Sequence, residues 1–207
     1  MIRLYQKRER FIQCAEKQYL SYSSQSSKDL VITSGTLNYI WNLWNSFWRF
    51  FFMAYALGGY DCNKNKISGF IKTLRQNEVA CYYQCVKNNK VYTIGRTINY
   101  YSEMTWGDPD VIIILLSSST VSIPHSTYLL GLLSSYYDDI SDFQKIRNSF
   151  IHMNSFGLSS LERNVLPKYS LLSGQKIVDI LESVSLNSNN QCFRTILDSM
   201  KACLSYI

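Results

Sequence analysis

A mainly α-helical fold, four or five helices with an inserted central segment, is predicted for this 207-residue chain. Three observations carry the prediction. Apolar and aromatic residues recur at helical spacing near both ends, polar capping residues precede the stripes, and a Gly pair stops one of them. At 46% hydrophobic and 14% aromatic residues the composition excludes disorder, and the length suits one domain with a real core. The expected organisation is a single helical domain over 1–207 with a basic insertion at about 60–124.

Arg3 to about Tyr22 reads as a helix, followed by the polar loop Ser23-Ser24-Gln25-Ser26-Ser27. The second helix runs from about Ser34 to the stop signal Gly58-Gly59. Within it, Trp41, Trp44, Trp48, Phe52 and Tyr55 fall at i, i+3, i+7, i+11 and i+14, a one-sided stripe. Leu37 to Leu57 is about as long as a bilayer crossing. However, Asn38, Asn42, Asn45, Ser46 and Arg49 interrupt it, and a central Arg alone costs roughly 2.5–3.5 kcal/mol on insertion scales. A buried amphipathic helix is therefore expected, with no membrane partner.

Residues 60 to 124 are less determined. Val79–Val86 and Val91–Tyr100 flank Lys87-Asn88-Asn89-Lys90 and could pair as a β-hairpin. Val111–Leu116 is a buried strand or a piece of helix, and periodicity does not decide between them. After Pro124, Ser126 opens a helix through Tyr137 with Leu129, Leu132, Leu133 and Tyr136 on one side. Asp138-Asp139-Ile140 makes a corner, and Ser141-Asp142-Phe143-Gln144 is a capping box for the next helix, which ends near Ser155 with Gly157 just beyond. Two further helices are expected, from about Ser173 to Val184 and from about Gln191 to Ile207. The last carries the stripe Phe193, Ile196, Met200, Cys203, Leu204 and Ile207.

The net charge of +6 is unevenly spread. Residues 1–100 hold 14 Lys and Arg against 5 Asp and Glu, and residues 101–207 hold 7 against 10. Lys64, Lys66, Lys72, Arg75, Lys87, Lys90 and Arg96 stand against Glu78 alone. This concentration fits contact with a phosphate backbone, although a solvated basic face would look the same. The basic stretch before Phe11 is not followed by an apolar segment of the signal-peptide kind, so a cytoplasmic location is expected. The six cysteines then read as reduced thiols among apolar neighbours. Cys81 and Cys85 have the wrong spacing for a zinc knuckle, and neither metal nor cofactor is predicted. His125, beside Pro124, reads as a turn residue.

The chemically suggestive stretch is Arg147-Asn148-Ser149-Phe150-Ile151-His152. On a helix, Phe143, Ile146, Phe150 and Met153 share a sector that faces the core, while Arg147, Asn148 and His152 occupy a separate arc spanning about 140°. Cleaving RNA through attack by its own 2′-hydroxyl needs a proton acceptor, a proton donor and positive charge on the phosphorane oxygens. Histidine fills either proton-transfer role, and arginine bonds phosphate oxygens bidentately. Asn148 is placed to orient the phosphate or the imidazole. The bland alternative pairs Arg147 with Asp139 and leaves His152 as a helix cap.

Arg147-Asn148-x-x-x-His152, late in a helical bundle, resembles the signature of the HEPN superfamily. That resemblance implies a HEPN-like bundle and a metal-independent ribonuclease of the toxin–antitoxin or anti-phage type. It further implies a homodimer pooling two Arg and two His, a 2′,3′-cyclic phosphate product, and control by an antitoxin or sensor protein. The other function it allows is a catalytically silent binding or dimerisation module in a larger defence or signalling complex. One departure concerns regulation. Where members modified by nucleotidyltransferase antitoxins carry Tyr two residues after the His, this chain has Asn154.

Overall fold

Helices dominate the computed structural model, which describes residues 1–152, 155–170, 177–186 and 189–207. Seven α-helices lie among the described residues: α1 (Leu4–Ser23), α2 (Leu30–Leu57), α3 (Gln76–Lys87), α4 (Pro109–Ser117), α5 (Ser126–His152), α6 (Ser155–Asn164) and α7 (Cys192–Ser205). The predicted mainly α class holds. No helix of the described residues is long and apolar enough to cross a membrane.

Four expectations within that class are corrected. Residues 79–86 are helical rather than one arm of a hairpin, and 91–99 form no strand. The Lys87-Asn88-Asn89-Lys90 stretch closes α3 instead of turning a hairpin. Asn89 has φ 51°, Lys90 N–H donates to Cys85 O at 2.8 Å and Asn89 N–H to Val86 O at 3.0 Å. These are the two bonds of a Schellman motif, which uses the same left-handed Asn that a tight hairpin turn favours.

The second correction is that α5 is one helix of 27 residues. Asp138-Asp139-Ile140 contains neither Gly nor Pro, so nothing interrupts the backbone ladder. The expected capping box at Ser141 does not exist. Third, Gly157 lies inside α6 rather than just past a helix end, and the described part of the motif helix runs to His152. Fourth, the helix expected from Ser173 to Val184 falls partly outside the described residues. Its described part is a 3₁₀ segment, Ile177–Glu182, followed by a strand, Val184–Ser185. By contrast, Val111–Leu116 resolves as helix because Pro109 occupies its first turn and Asp108 accepts Asp110 N–H at 3.0 Å.

The chain divides into two compact units. The first comprises residues 1–11 and 44–135, with Ile207. Its core is aromatic: Trp44, Phe47, Trp48, Phe51, Phe52, Tyr83 and Trp106 are fully buried. Their rings meet edge-on or tilted, as in Trp44–Trp48 at 5.7 Å and Tyr83–Trp106 at 5.7 Å. Two polar tips find partners, since Tyr83 OH donates to Phe52 O at 2.9 Å and Trp44 Nε1 to Gly107 O at 2.9 Å. Gly107 is required there because a Cβ would sit 2.6 Å from the Trp44 ring. Strand β1 (Ile2–Arg3) pairs parallel with β2 (Gly59–Tyr60), which pairs antiparallel with β3 (Lys66–Ile67).

The second unit comprises residues 12–43 and 136–206. Leu37, Ile40, Trp41, Ile140, Phe143, Ile146, Phe193, Ile196 and Met200 build its core. Strands β4 (Tyr169–Ser170) and β5 (Val184–Ser185) form a two-residue antiparallel pair. The predicted core stripe of the motif helix is thus buried at Phe143, Ile146 and Phe150, and Met153 lies outside the described residues.

Candidate functional site

The motif occupies the C-terminal turns of α5, in the second unit. Because Ile146 and Phe150 hold one side of the helix in the core, Arg147 and Asn148 emerge half-buried beside it. The Arg147 guanidinium is clamped by two amide oxygens. One N–H reaches Asn148 Oδ1 at 2.9 Å, and another reaches Asn38 Oδ1 on α2 at 2.7 Å. No carboxylate pairs with Arg147 among the described residues. Its Nε is buried without a partner among those residues. Burial pushes the guanidinium below its ordinary pKa, with no neighbouring carboxylate among them to oppose the shift.

The pairing of Arg147 with Asp139 is not found. Asp139 instead accepts from the Ser199 hydroxyl on α7. Asp142 is also engaged: it is 1% exposed and bound by Lys168 at 2.7 Å, with Lys145 at 3.5 Å. Asp138, Asp139 and Asp142, read as a corner and a capping box, lie mid-helix, and two of them serve tertiary contacts.

His152 is the last described residue of α5 and is exposed. Among the described residues no hydrogen bond joins it to Arg147 or Asn148, which are themselves joined at 2.9 Å. Between them in sequence, buried Ser149 ties two helices together. Its hydroxyl lies 2.8 Å from both Lys145 O and Gly157 O in α6. Asn154 lies outside the described residues.

The predicted RNA-contacting residues all belong to the other unit. Lys64, Lys66, Lys72, Arg75, Lys90 and Arg96 are exposed and Lys87 is half-buried. Lys66 and Lys72 line one pocket of about 720 Å³ with Ser68 and Gln76; Lys90 and Arg96 line another of about 130 Å³. Lys64 lies 5.6 Å from the Tyr5 ring. The remaining histidine, His125, sits in a turn with φ 59°. All six cysteines are free thiols.

Asn38 is the site residue that sequence reasoning missed. Its signal is present as a polar residue interrupting the apolar stretch of α2, although nothing in the spacing names its partner. Compared with protein-family models, curated proteins and solved structures, the chain matches none of them.

Proposed function

We propose that this chain is a metal-independent endoribonuclease of the toxin or anti-phage effector type, HEPN-like and acting in the cytoplasm. One observation carries the proposal: Arg147 is a half-buried cation, aimed by two neutral amides and matched to no carboxylate among the described residues. An ion pair made for stability alone would supply the counter-charge from the protein, because leaving a buried charge uncompensated is costly. A site built for an anionic ligand leaves that position to the ligand.

In this mechanism a phosphodiester docks on Arg147, whose remaining N–H groups bond the non-bridging oxygens, in bonds that strengthen as charge develops on them. The RNA 2′-oxygen loses its proton and attacks phosphorus. The bond to the 5′-oxygen breaks, and that oxygen takes up a proton. The products are a 2′,3′-cyclic phosphate and a 5′-hydroxyl. His152 moves one of these protons, and a second copy of the chain supplies the other His152. Asn148 and Asn38 hold the guanidinium. The basic residues from Lys64 to Arg96 contact the RNA backbone, and an antitoxin or sensor protein controls the activity.

RNA degradation in EDTA tests this directly. Wild type is expected to cleave with EDTA present, while Arg147→Ala and His152→Ala each lose activity by about a hundredfold or more. If the site needs His152 from both copies, adding excess His152→Ala to wild type lowers cleavage through inactive mixed dimers. Cleavage by both variants at the wild-type rate sinks the proposal. A second reading, a catalytically silent dimerisation or binding module, is favoured by the partners of Arg147, which are Asn148 and Asn38 and not His152 among the described residues. It predicts RNA or partner binding with no cleavage by the wild type.

A further inference from the structure

The segment after α3 carries features that the cleavage site does not use. From Val79 to Ser102 the chain contains five tyrosines, three cations and no carboxylate. The flanking carboxylates are already engaged. Glu78 accepts Arg75 N–H at 2.8 Å at the start of α3, and Glu103 receives Arg49 at 2.7 and 2.8 Å and Trp106 Nε1 at 2.7 Å. Lys90 and Arg96 thus have no carboxylate within the segment, while Glu78, which receives a neutral N–H, keeps its charge just before it.

Large apolar surface stands exposed on the same segment. Tyr101 is 92% exposed and Tyr100 68%, with Val91 and Ile94 also exposed. Contiguous apolar surface marks a contact site, and the Tyr100 and Tyr101 rings adjoin at 5.9 Å. The turn that carries the tyrosines is held at several points. Asn99 caps the 3₁₀ turn Tyr100–Ser102 through a Tyr101 N–H bond of 3.3 Å, and the Arg49 guanidinium, locked on Glu103, lies 5.4 Å from the centre of the Tyr100 ring. Ile98 N–H donates to Asn77 O at 3.3 Å, anchoring the approach to α3. Ile98 also lines the pocket of Lys90 and Arg96, and two residues on comes Tyr100, at most about 7 Å along the chain. Exposed aromatic rings thus stand near cations that form no ion pair among the described residues.

We infer that Tyr100 and Tyr101, with Lys90 and Arg96, form a docking platform for single-stranded RNA. Unpaired bases stack on the tyrosine rings while the cations hold the backbone. Paired bases in a duplex hide their faces, so the platform selects single strands. The inference rests on RNA being the substrate and adds which form of RNA is bound and where.

Fluorescence anisotropy of the full chain with a short labelled 2′-O-methyl oligoribonucleotide, offered single-stranded and as a duplex, tests it. This probe lacks the 2′-hydroxyl that cleavage needs, so binding is read apart from catalysis. Tyr101→Ala is expected to weaken single-strand binding about fivefold or more, and the Tyr100→Ala/Tyr101→Ala pair further, with duplex binding unchanged. Tyr101→Phe keeps the ring and binds as wild type. The pair Lys90→Gln/Arg96→Gln flattens the salt dependence by about 0.7 in log–log slope for each phosphate no longer neutralised, whereas the Tyr variants leave it unchanged. The inference is overturned if the Tyr→Ala variants bind single strands as well as wild type, or if the wild type binds duplex as tightly. It is equally overturned if the Tyr variants change the sedimenting mass and leave RNA affinity alone, which would make this a protein contact. Loss of cleavage in His152→Ala together with normal binding by Tyr101→Ala removes the platform and keeps the nuclease. The opposite pair of results keeps the platform and removes the nuclease.

Discussion

At the scale of single residues, two half-hidden charges are handled in opposite ways. Asp142 is buried and receives cations from the protein; Arg147 is half-buried and receives only amide oxygens among the described residues. Asn38 is therefore a positioning residue. Asn38→Ala is expected to lower the cleavage rate roughly tenfold, while thermal melting shows a folded protein, because one hydrogen bond orienting the guanidinium is gone and the charge remains. An unchanged rate would mean that Asn148 alone holds the group. Burial raises the Asp142 carboxyl above the ordinary carboxylate range, and Lys168 and Lys145 oppose that shift without reversing it. A group whose folded pKa is raised binds protons more readily in the folded state, so its contribution to stability improves as pH falls through that value. Relative to wild type, Asp142→Asn should gain stability as pH rises from below the usual carboxylate range to neutrality. Denaturant melts across that range check the sign, and the reverse trend would show that the lysines dominate.

At the scale of elements, the helices legible in the sequence are those with a long one-sided stripe. Trp41, Trp44, Trp48 and Phe52 of α2 and the Phe193–Leu204 stripe of α7 are buried as the spacing implies, whereas Tyr55 is half-buried and Phe47, Phe51 and Met53 are buried off the α2 stripe. Sequence and structure part where a residue type serves two physical ends. Asn89 suits a hairpin turn and a helix C-terminus equally, and the Schellman bonds to Val86 and Cys85 decide for the helix. Asp138, Asp139 and Asp142 suit helix starts, but Ser199 and Lys168, distant in sequence, recruit two of them mid-helix. The arc of Arg147 and Asn148 is visible from helical angles alone. Asn38 is not, since its role depends on which helix packs beside α5. Proline distinguishes a continuous α5 from a corner. Asp138 is exposed, so Asp138→Pro changes little beyond the backbone and should cost about 3 kcal/mol or more in a helix interior. A corner there would tolerate it with little change in the denaturation midpoint.

At the scale of the whole molecule, the excess positive charge of residues 1–100 falls in the first unit, and the proposed function divides two tasks between the units. Cations on the first unit would meet an extended backbone, while the second unit presents one oriented guanidinium. The clamped Arg147 also bears on the native state itself. A cation held partly out of water without an opposing charge makes folding stability a function of the anions in solution, by mass action. Occupancy at a hundred times the dissociation constant would add about 2.7 kcal/mol. Exchanging chloride for phosphate at constant ionic strength should therefore raise the melting temperature of wild type more than that of Arg147→Gln. Equal shifts would assign the effect to general salting-out. If the difference is seen, the empty protein is the less stable form, and its persistence in the cell depends on how much RNA or other phosphate it meets.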